Sequence, residues 1–398
     1  MNSFCHFFTL LMMFMPLVTG AQDPYFSQFF ANRVYLNPAY AGFDPGTSIT
    51  MNFREQWFGL PDGKPAAASR SYRTYNVTAD IQLPCILDLE DINLGVSIIA
   101  ARDEAGQAPL ITNSFGLAIS HEQPLIRKAS KSPWQRLDLR AGLQVGLHEK
   151  SIKDDYFIYS GQLDPVVGLL TNPSALSLAR SFFPNFNAGI MLRGYHNRSK
   201  YSNTLFTMGL TLANINRPDQ SLREVTAPAR LPLRITFHAG FTQRLTRFSG
   251  VKSPLFLVPQ FRWDSQLGGA LNTQTIGAYT FSKGFYTGLF FQYNFPNDPS
   301  VSPGVAGVGF LGRNTTTLIM NAGVDIRSVL DWGVPWRKRE TGILLGFTYD
   351  LNLAGLTHSN TFGVLEFSLR MNFSKLKIRD CLEIGKFELY RGDCPVRF

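Results

Sequence analysis

The feature that most constrains this 398-residue chain is the recurrence of apolar residues at every second position over long segments. From Phe285 to Phe295 the odd positions are mostly large and apolar, while the even positions include Gly288 and Gln292. Residues 343–353 repeat the arrangement. Successive side chains of a strand point to opposite faces, so the pattern predicts strands with one apolar and one polar face.

The length and number of these segments favour a membrane barrel over a soluble sandwich. A mean hydropathy of -0.04 and 17% charged residues would suit a soluble protein. However, many candidate strands run about ten residues, which is the length that a tilted strand needs to cross hydrocarbon. About fifteen candidates are present, and closure of a bacterial barrel requires an even number. We therefore predict an all-β fold, a transmembrane antiparallel β-barrel of the bacterial outer membrane with about 14 strands, 12–16 being compatible with the pattern.

The N-terminus has the features of an export signal. Phe7 to Val18 is an uncharged apolar run, closed by the small residues Thr19, Gly20 and Ala21. The run is shorter than the roughly 18 residues that would suggest a spanning helix. We predict a signal peptide over residues 1–21, cleaved near Ala21.

Two short motifs follow this signal, Asp23-Pro24-Tyr25-Phe26-Ser27-Gln28 and Asn37-Pro38-Ala39-Tyr40-Ala41-Gly42. Together they resemble the opening of the PorP/SprF family, outer-membrane β-barrel proteins of the type IX secretion and gliding machinery of Bacteroidota. The resemblance is tight here and extends to the remaining chain only by pattern. The family-motif residues are Asp23, Pro24, Phe26, Ser27, Gln28, Asn37, Pro38, Ala39 and Gly42.

Residues 22–45 are too irregular for a spanning strand and too apolar for a solvated tail, because seven large apolar residues need burial. We expect this segment to pack on or in the barrel, against its interior or its periplasmic mouth. A structural plug and a docking surface for a partner both remain possible.

The barrel is predicted over residues 46–373 and a polar tail over residues 374–398. The final strand alternates up to Phe373, an ending that resembles the assembly signal of outer-membrane proteins. The tail carries Cys381 and Cys394, which in an exported protein are candidates for a disulfide. Metal binding by this pair is the weaker alternative, since no histidine lies nearby.

The polar strand faces predict a charged lumen. Candidate lumen residues near the C-terminal end are Asp325, Arg327, Glu366 and Arg370, and further candidates are Asp80, Asp138, Arg140 and Arg234. Their alternating sign suits a channel lining, and equally a lumen closed by salt bridges.

No motif predicts an enzyme or a cofactor. Residues 307–312 match a dinucleotide-binding glycine pattern, but strand-like sequence continues on both sides where a helix should follow. The histidines lack metal-ligand spacing and no serine lies in a Gly-x-Ser-x-Gly elbow. The net charge of +9 does not predict nucleic-acid binding in an exported barrel. It suits interfacial Lys and Arg, or contact with anionic lipid or an acidic partner.

The resemblance implies a non-enzymatic outer-membrane component or partner of type IX secretion. Family members support export and surface attachment of secreted adhesins through the adhesin's C-terminal domain, or belong to the secretion apparatus. The implied partners are therefore outer-membrane lipid and a large secreted adhesin-like protein, secretion-machine subunits, or both. A passive porin or a channel for hydrophobic substrates is the alternative.

Overall fold

A computed structural model describes most of the chain. The described residues are 25–44, 46–57, 72–83, 93–106, 110–127, 134–152, 163–164, 168–169, 180–199, 202–222, 229–245, 255–267, 272–282, 284–295, 315–326, 329, 341–354 and 362–373.

Long antiparallel strands make up nearly all of this structure, and fourteen of them close into one barrel. The predicted all-β barrel and its strand number are thus confirmed. The barrel strands are β1 (Thr47–Gln56), β2 (Tyr72–Gln82), β3 (Leu94–Ala105), β4 (Leu110–Arg127), β5 (Trp134–Ile152), β8 (Ser181–Ser199), β9 (Ser202–Ala213), β10 (Leu233–Arg244), β11 (Phe256–Leu267), β12 (Asn272–Ser282), β13 (Phe285–Phe295), β14 (Thr315–Asp325), β15 (Thr341–Ala354) and β16 (Val364–Phe373). Around the closed barrel their order is β1-β16-β15-β14-β13-β12-β11-β10-β9-β8-β5-β4-β3-β2. A small hairpin, β6 (Leu163–Asp164) and β7 (Gly168–Leu169), lies in the connection from β5 to β8.

The first and last strands close the barrel. Thr47 of β1 pairs with Phe373 of β16, and Gln56 pairs with Val364. On its other edge β1 pairs with β2 in the same antiparallel sense. Closure leaves no sheet edge without hydrogen-bond partners, which is the condition for strands to cross hydrocarbon.

The two faces of the strands differ as the alternation predicts. In β5, Asp138 and Arg140 are buried in the lumen, whereas the neighbouring Leu143 is 62% exposed on the outside. Phe182 of β8 is likewise 64% exposed. An apolar exterior around a polar interior is the arrangement that a lipid environment requires.

The two ends of the barrel differ in the length of their connections. Thr47 and Phe373 lie at the same end, where two pairs of successive strands, β8 with β9 and β12 with β13, are separated by only two residues in sequence. The three longest stretches between barrel strands, 153–180, 214–232 and 296–314, lie at the opposite end. Since bacterial barrels have short periplasmic turns and longer outer loops, we call these the inner end and the outer end.

Tyr25 to Asp44, called here the lumenal segment, lies inside the barrel. It contains a short α-helix, Arg33–Leu36, and a 3-10 helix, Pro38–Tyr40. Its apolar side chains form the main buried cluster together with Tyr279, Phe290 and other lumen-facing residues of the wall. Among the described residues, no helix is long and apolar enough to span a membrane.

Candidate functional site: the lumenal segment and the outer pocket

The start of the lumenal segment is held by a carboxylate of the last strand. Glu366 of β16 is 0% exposed. Its Oε2 accepts the backbone N–H of Ser27 at 2.8 Å, and its Oε1 accepts that of Gln28 at 3.0 Å. Ser368, two residues along the same face, donates its hydroxyl to Gln28 Oε1 at 2.6 Å. The Ser-Gln pair of the motif is therefore clamped on one strand.

Arg54 of β1 supplies the positive charge for this clamp. Its Nη1 lies 3.2 Å from Glu366 Oε2 and 3.3 Å from Asp350 Oδ2 of β15, and it donates to Ser27 Oγ at 2.7 Å. The Ser27 hydroxyl in turn donates to Asp350 Oδ2 at 2.5 Å. Buried charges are tolerated where they are paired and hydrogen-bonded, which this arrangement achieves across three adjacent strands.

A second arginine holds the residues just before this clamp. The guanidinium of Arg262 in β11 lies 4.1 Å from the centre of the Tyr25 ring and donates to the carbonyl of Phe26 at 3.3 Å. Tyr25 forms a 2.8 Å hydrogen bond with Thr275 of β12. Phe26 packs edge-on against Tyr35 within the segment itself. The segment is thus also bound to β11 and β12, which lie five and four strands from β16 around the barrel.

Phe29 and Phe30 fill the adjoining part of the lumen. Phe30 stacks on Phe290 of β13 with ring centres 5.8 Å apart and lies 5.1 Å from Tyr279 of β12. Phe29 meets Phe290 edge-on. Burial of these rings removes apolar surface from water and contributes to holding the segment in place.

The second motif begins with Asn37, which caps the 3-10 helix. Asn37 Oδ1 accepts the backbone N–H of Ala39 at 2.9 Å, and Pro38 supplies the fixed φ of the first helical position. Asn37 Nδ2 donates to the Ile190 carbonyl and to His238 Nε2, each at 3.1 Å. One asparagine therefore fixes the local turn and joins it to β8 and β10.

The alanines of this motif are in tight contact with the wall. Ala39 and Ala41 are both 0% exposed. Arg140 of β5 donates to their carbonyls at 2.9 and 2.6 Å, and Ser120 of β4 donates to the Ala41 carbonyl at 2.6 Å. Gly142 of β5 faces the Pro38–Ala39 peptide so closely that a Cβ on Gly142 would collide with it. A glycine at this wall position creates the space for the motif.

Gly42 ends the motif in a conformation that favours glycine. Its φ is +62°, and a Cβ there would collide with the Cα of Gly95 in β3. Its backbone N–H donates to Asp80 Oδ1 of β2. The turn into β1 thus depends on two facing glycines and one lumenal carboxylate.

A larger ionic cluster lies beside the second motif. Glu122 of β4 accepts from Arg140 at 2.5 Å and from Arg136 at 2.6 Å, and Arg193 of β8 lies 3.1 Å from it. Asp138 completes the cluster by pairing with Arg136 and Arg193. These carboxylates and guanidiniums pair with one another, so the charges of this part of the wall close the lumen.

Arg33 and Asp44 tie the segment to itself and to the final strand. Arg33 Nη2 lies 3.2 Å from Asp44 Oδ2, and Arg370 of β16 also pairs with that oxygen. Burial lowers the pKa of Arg33 to about 10, so the side chain remains charged at neutral pH. The Phe43 ring lies 5.0 Å from the Arg33 guanidinium and 4.9 Å from that of Arg193.

Among the charged residues singled out from the sequence, Glu366, Arg370, Asp80 and Arg140 meet the lumenal segment directly. Asp325 is half-buried, and by strand alternation it shares the lumenal face of Asn321. Asp23, Pro24, Arg327, Cys381 and Cys394 lie outside the described residues. Sequence reasoning missed Arg54, Asp350, Glu122 and Arg262 as contacts, although strand alternation would have placed each on the lumenal face.

A pocket lies at the outer end of the lumen, above Tyr35 of the segment. It has a volume of about 100 Å³ and is lined by the outer ends of β3, β4, β5, β8, β9 and β10. We call it the outer pocket. Its polar lining includes Ser114, Gln144, His148, Asn185, Asn187 and Gln220.

No metal site emerges from this geometry within the part of the chain that the structure describes. There, no group of three or more His, Cys, Asp or Glu side chains is arranged to hold an ion.

Comparison with known proteins gives one family match and several loose structural likenesses. A family model described as "Type IX secretion system membrane protein PorP/SprF" matches residues 18–371. A FadL homologue of Pseudomonas aeruginosa is 12% identical, with 86% of this chain and 94% of that chain covered and a TM-score of 0.39. BamA of Haemophilus ducreyi lacking POTRA domains 1–3 is 8% identical, with 83% and 71% covered and a TM-score of 0.38. No curated protein sequence matches the chain.

Proposed function

Because the chain belongs to the PorP/SprF family of type IX secretion system membrane proteins, we propose that it is a non-enzymatic binding component of that machinery. In this role it supports export and surface attachment of a large secreted adhesin-like protein. This role has two forms: the protein belongs to the core apparatus, or it serves a single adhesin. The protein acts from the outer membrane, after removal of residues 1–21.

The observation that carries the proposal is the occupied lumen. The lumenal segment hydrogen-bonds to β16 at Gln28, to β8 at Asn37 and to β5 at Ala39. β8 and β5 are neighbours in the closed barrel, and β16 lies across the barrel from them. A barrel closed in this way offers binding surfaces at its ends in place of a route for solutes.

The direct test is to recover the protein with its partners. The chain is tagged in its native host and purified from outer membranes in mild detergent, and co-purifying proteins are identified by mass spectrometry. Recovery of a large secreted protein or of secretion-machine subunits is the expected result. The control is an unrelated outer-membrane barrel carrying the same tag.

A partner-free barrel would instead favour a passive channel for small or hydrophobic solutes. The two forms of the proposed role also separate in this experiment. A single adhesin-like protein indicates a dedicated partner, whereas several machine subunits indicate a core component.

A further inference from the structure

We propose that the outer pocket is a sugar-binding site, which takes one edge of a hexopyranose ring. A surface glycan and a free saccharide both present the ring hydroxyls that this site would bind. The site is distinct from the docking of a secreted protein and does not depend on the proposed function.

The first argument is an unsatisfied acceptor in the pocket wall. Asn185 is only 5% exposed. Its Nδ2 donates to Asn214 Oδ1 at 2.8 Å, but its Oδ1 has no hydrogen-bond partner among the described residues. A buried amide oxygen without a donor is costly, so this atom calls for a ligand that carries a hydroxyl or N–H group.

The second argument comes from the tautomer of His148. Asn185 Nδ2 lies 3.4 Å from His148 Nε2, and an amide nitrogen can only donate, so Nε2 is the accepting nitrogen. The hydrogen is therefore on Nδ1, which lies 2.8 Å from Ser114 Oγ. Ser114 accepts that hydrogen and keeps its own hydroxyl hydrogen to donate to a ligand. A ligand group that both donates and accepts, as a sugar hydroxyl does, matches this pair.

The third argument is the combination of neutral amides with aromatic side chains in the lining. Asn187, Gln144 and Gln220 also line the pocket, while His148 stacks on Phe183 at 5.3 Å with an angle of 3° between the rings. Sugar rings present C–H groups on one face and hydroxyls along the edge. Because the two rings stack on each other and Phe183 is only 4% exposed, they supply apolar lining for the C–H groups, and the neutral amides beside them meet the hydroxyls.

The charges of the pocket do not select an ionic ligand. Lys150 Nζ donates to Gln220 Oε1 at 2.5 Å, and Asp103 Oδ1 accepts from Thr74 at 2.6 Å. Lys150 and Asp103 are thus engaged by the protein itself, and Arg234, the third charged residue of the lining, also has a partner within it. The volume of about 100 Å³ admits part of a ring and not a whole disaccharide, so the pocket takes one edge of the sugar.

The test is a binding measurement on the full-length protein in detergent. Glucose, galactose, mannose and N-acetylglucosamine are screened by saturation-transfer NMR, alongside lipopolysaccharide purified from the same outer membrane. At least one sugar is expected to bind. The variant Asn185→Ala removes the buried acceptor Oδ1. It should weaken the affinity for the sugar by about tenfold, because one hydrogen bond is lost.

Ser114→Ala is the second pocket variant, since it removes the hydroxyl that donates to the ligand and changes nothing else in the side chain. Asn321→Ala is the matched control, because Asn321 is a buried lumenal asparagine of β14 outside the pocket. Binding of free sugars supports a saccharide site in general, and binding of lipopolysaccharide alone supports a surface-glycan site.

Two results would overturn the inference. One is the absence of binding by every sugar and by lipopolysaccharide. The other is sugar binding that both pocket variants leave unchanged.

Discussion

At the scale of single residues, Glu366 combines several contacts with the lumenal segment in one side chain. One carboxylate accepts two consecutive backbone N–H groups of the lumenal segment and pairs with Arg54. Charge-assisted hydrogen bonds of this kind are stronger than neutral ones, and their loss leaves donors buried without partners. We therefore expect Glu366 to contribute more to the free energy of unfolding than the other side chains of the clamp.

Replacement of Glu366 by Ala should lower the free energy of unfolding by about 3–5 kcal/mol, because Arg54 and two N–H groups lose a buried partner. The measurement is the urea midpoint of the folded band, followed by electrophoresis without heating. Glu55→Gln is the control. Glu55 pairs with Arg73 in a half-exposed position, and such pairs contribute under about 1 kcal/mol. Equal shifts for the two variants would contradict the clamp.

The second prediction at this scale concerns Gly42. Gly42→Ala should destabilise the barrel by about 1–3 kcal/mol, because the residue has a positive φ and its Cβ would collide with Gly95. Gly106→Ala is the matched control. Gly106 has a similar φ of +82°, but nothing lies within 4 Å of its added Cβ. The difference between the two urea midpoints measures the crowding alone, and no difference would exclude it.

At the scale of elements, the lumenal segment replaces the solvent that would otherwise fill the barrel. It supplies backbone and apolar partners to lumen-facing side chains such as Arg140, Arg262 and Phe290. Without it, these groups would lose their contacts, and the ion pairs of the wall would lie in an open lumen. The segment and the strands are therefore expected to fold as one unit.

Deletion of residues 22–40, with the signal retained, should abolish assembly of the barrel. The measurement is the amount of folded protein in isolated outer membranes. The matched control is the full-length chain with the single change Glu55→Gln, which leaves the segment intact. Normal assembly with loss of the co-purifying partner would contradict a structural role and assign the segment to docking.

At the scale of the whole molecule, the fold is a closed cylinder whose interior is occupied by its own N-terminal segment. Paired charges such as Glu122 and Arg140 add to this filling. Ion conduction needs a continuous aqueous path, which self-paired lumenal charges and packed rings interrupt. The molecule is therefore expected to bind at its ends and not to conduct.

The wild-type protein should give no steady current steps in a planar bilayer, whereas the double variant Ser27→Ala, Glu366→Ala should conduct intermittently, because the start of the segment is released. Single-channel recording makes this measurement. Glu55→Gln again serves as the control and should remain silent. Regular conductance steps from the wild type would favour the channel function.

The fold was largely predictable from the sequence because strand alternation is a local signal. The apolar residues at every second position of β13 or β16 indicate which face meets lipid. The length of the strands indicates that they can cross the hydrocarbon core of a membrane. The candidate site was less predictable. The motif residues Ser27, Gln28 and Gly42 were identifiable by resemblance. For Arg54, Asp350 and Arg262, the sequence indicates only that strand alternation places each side chain on the lumenal face.

By itself, then, the sequence determined a closed outer-membrane barrel with a polar lumen and an N-terminal segment in need of burial. Only the tertiary structure decided which wall residue meets which part of that segment. Gln28 and Glu366 are 338 positions apart in the sequence. Only closure of the barrel brings the backbone nitrogen of Gln28 to 3.0 Å from Glu366 Oε1. Register around a closed sheet is a property of all its strands together, so no local pattern specifies such a pair.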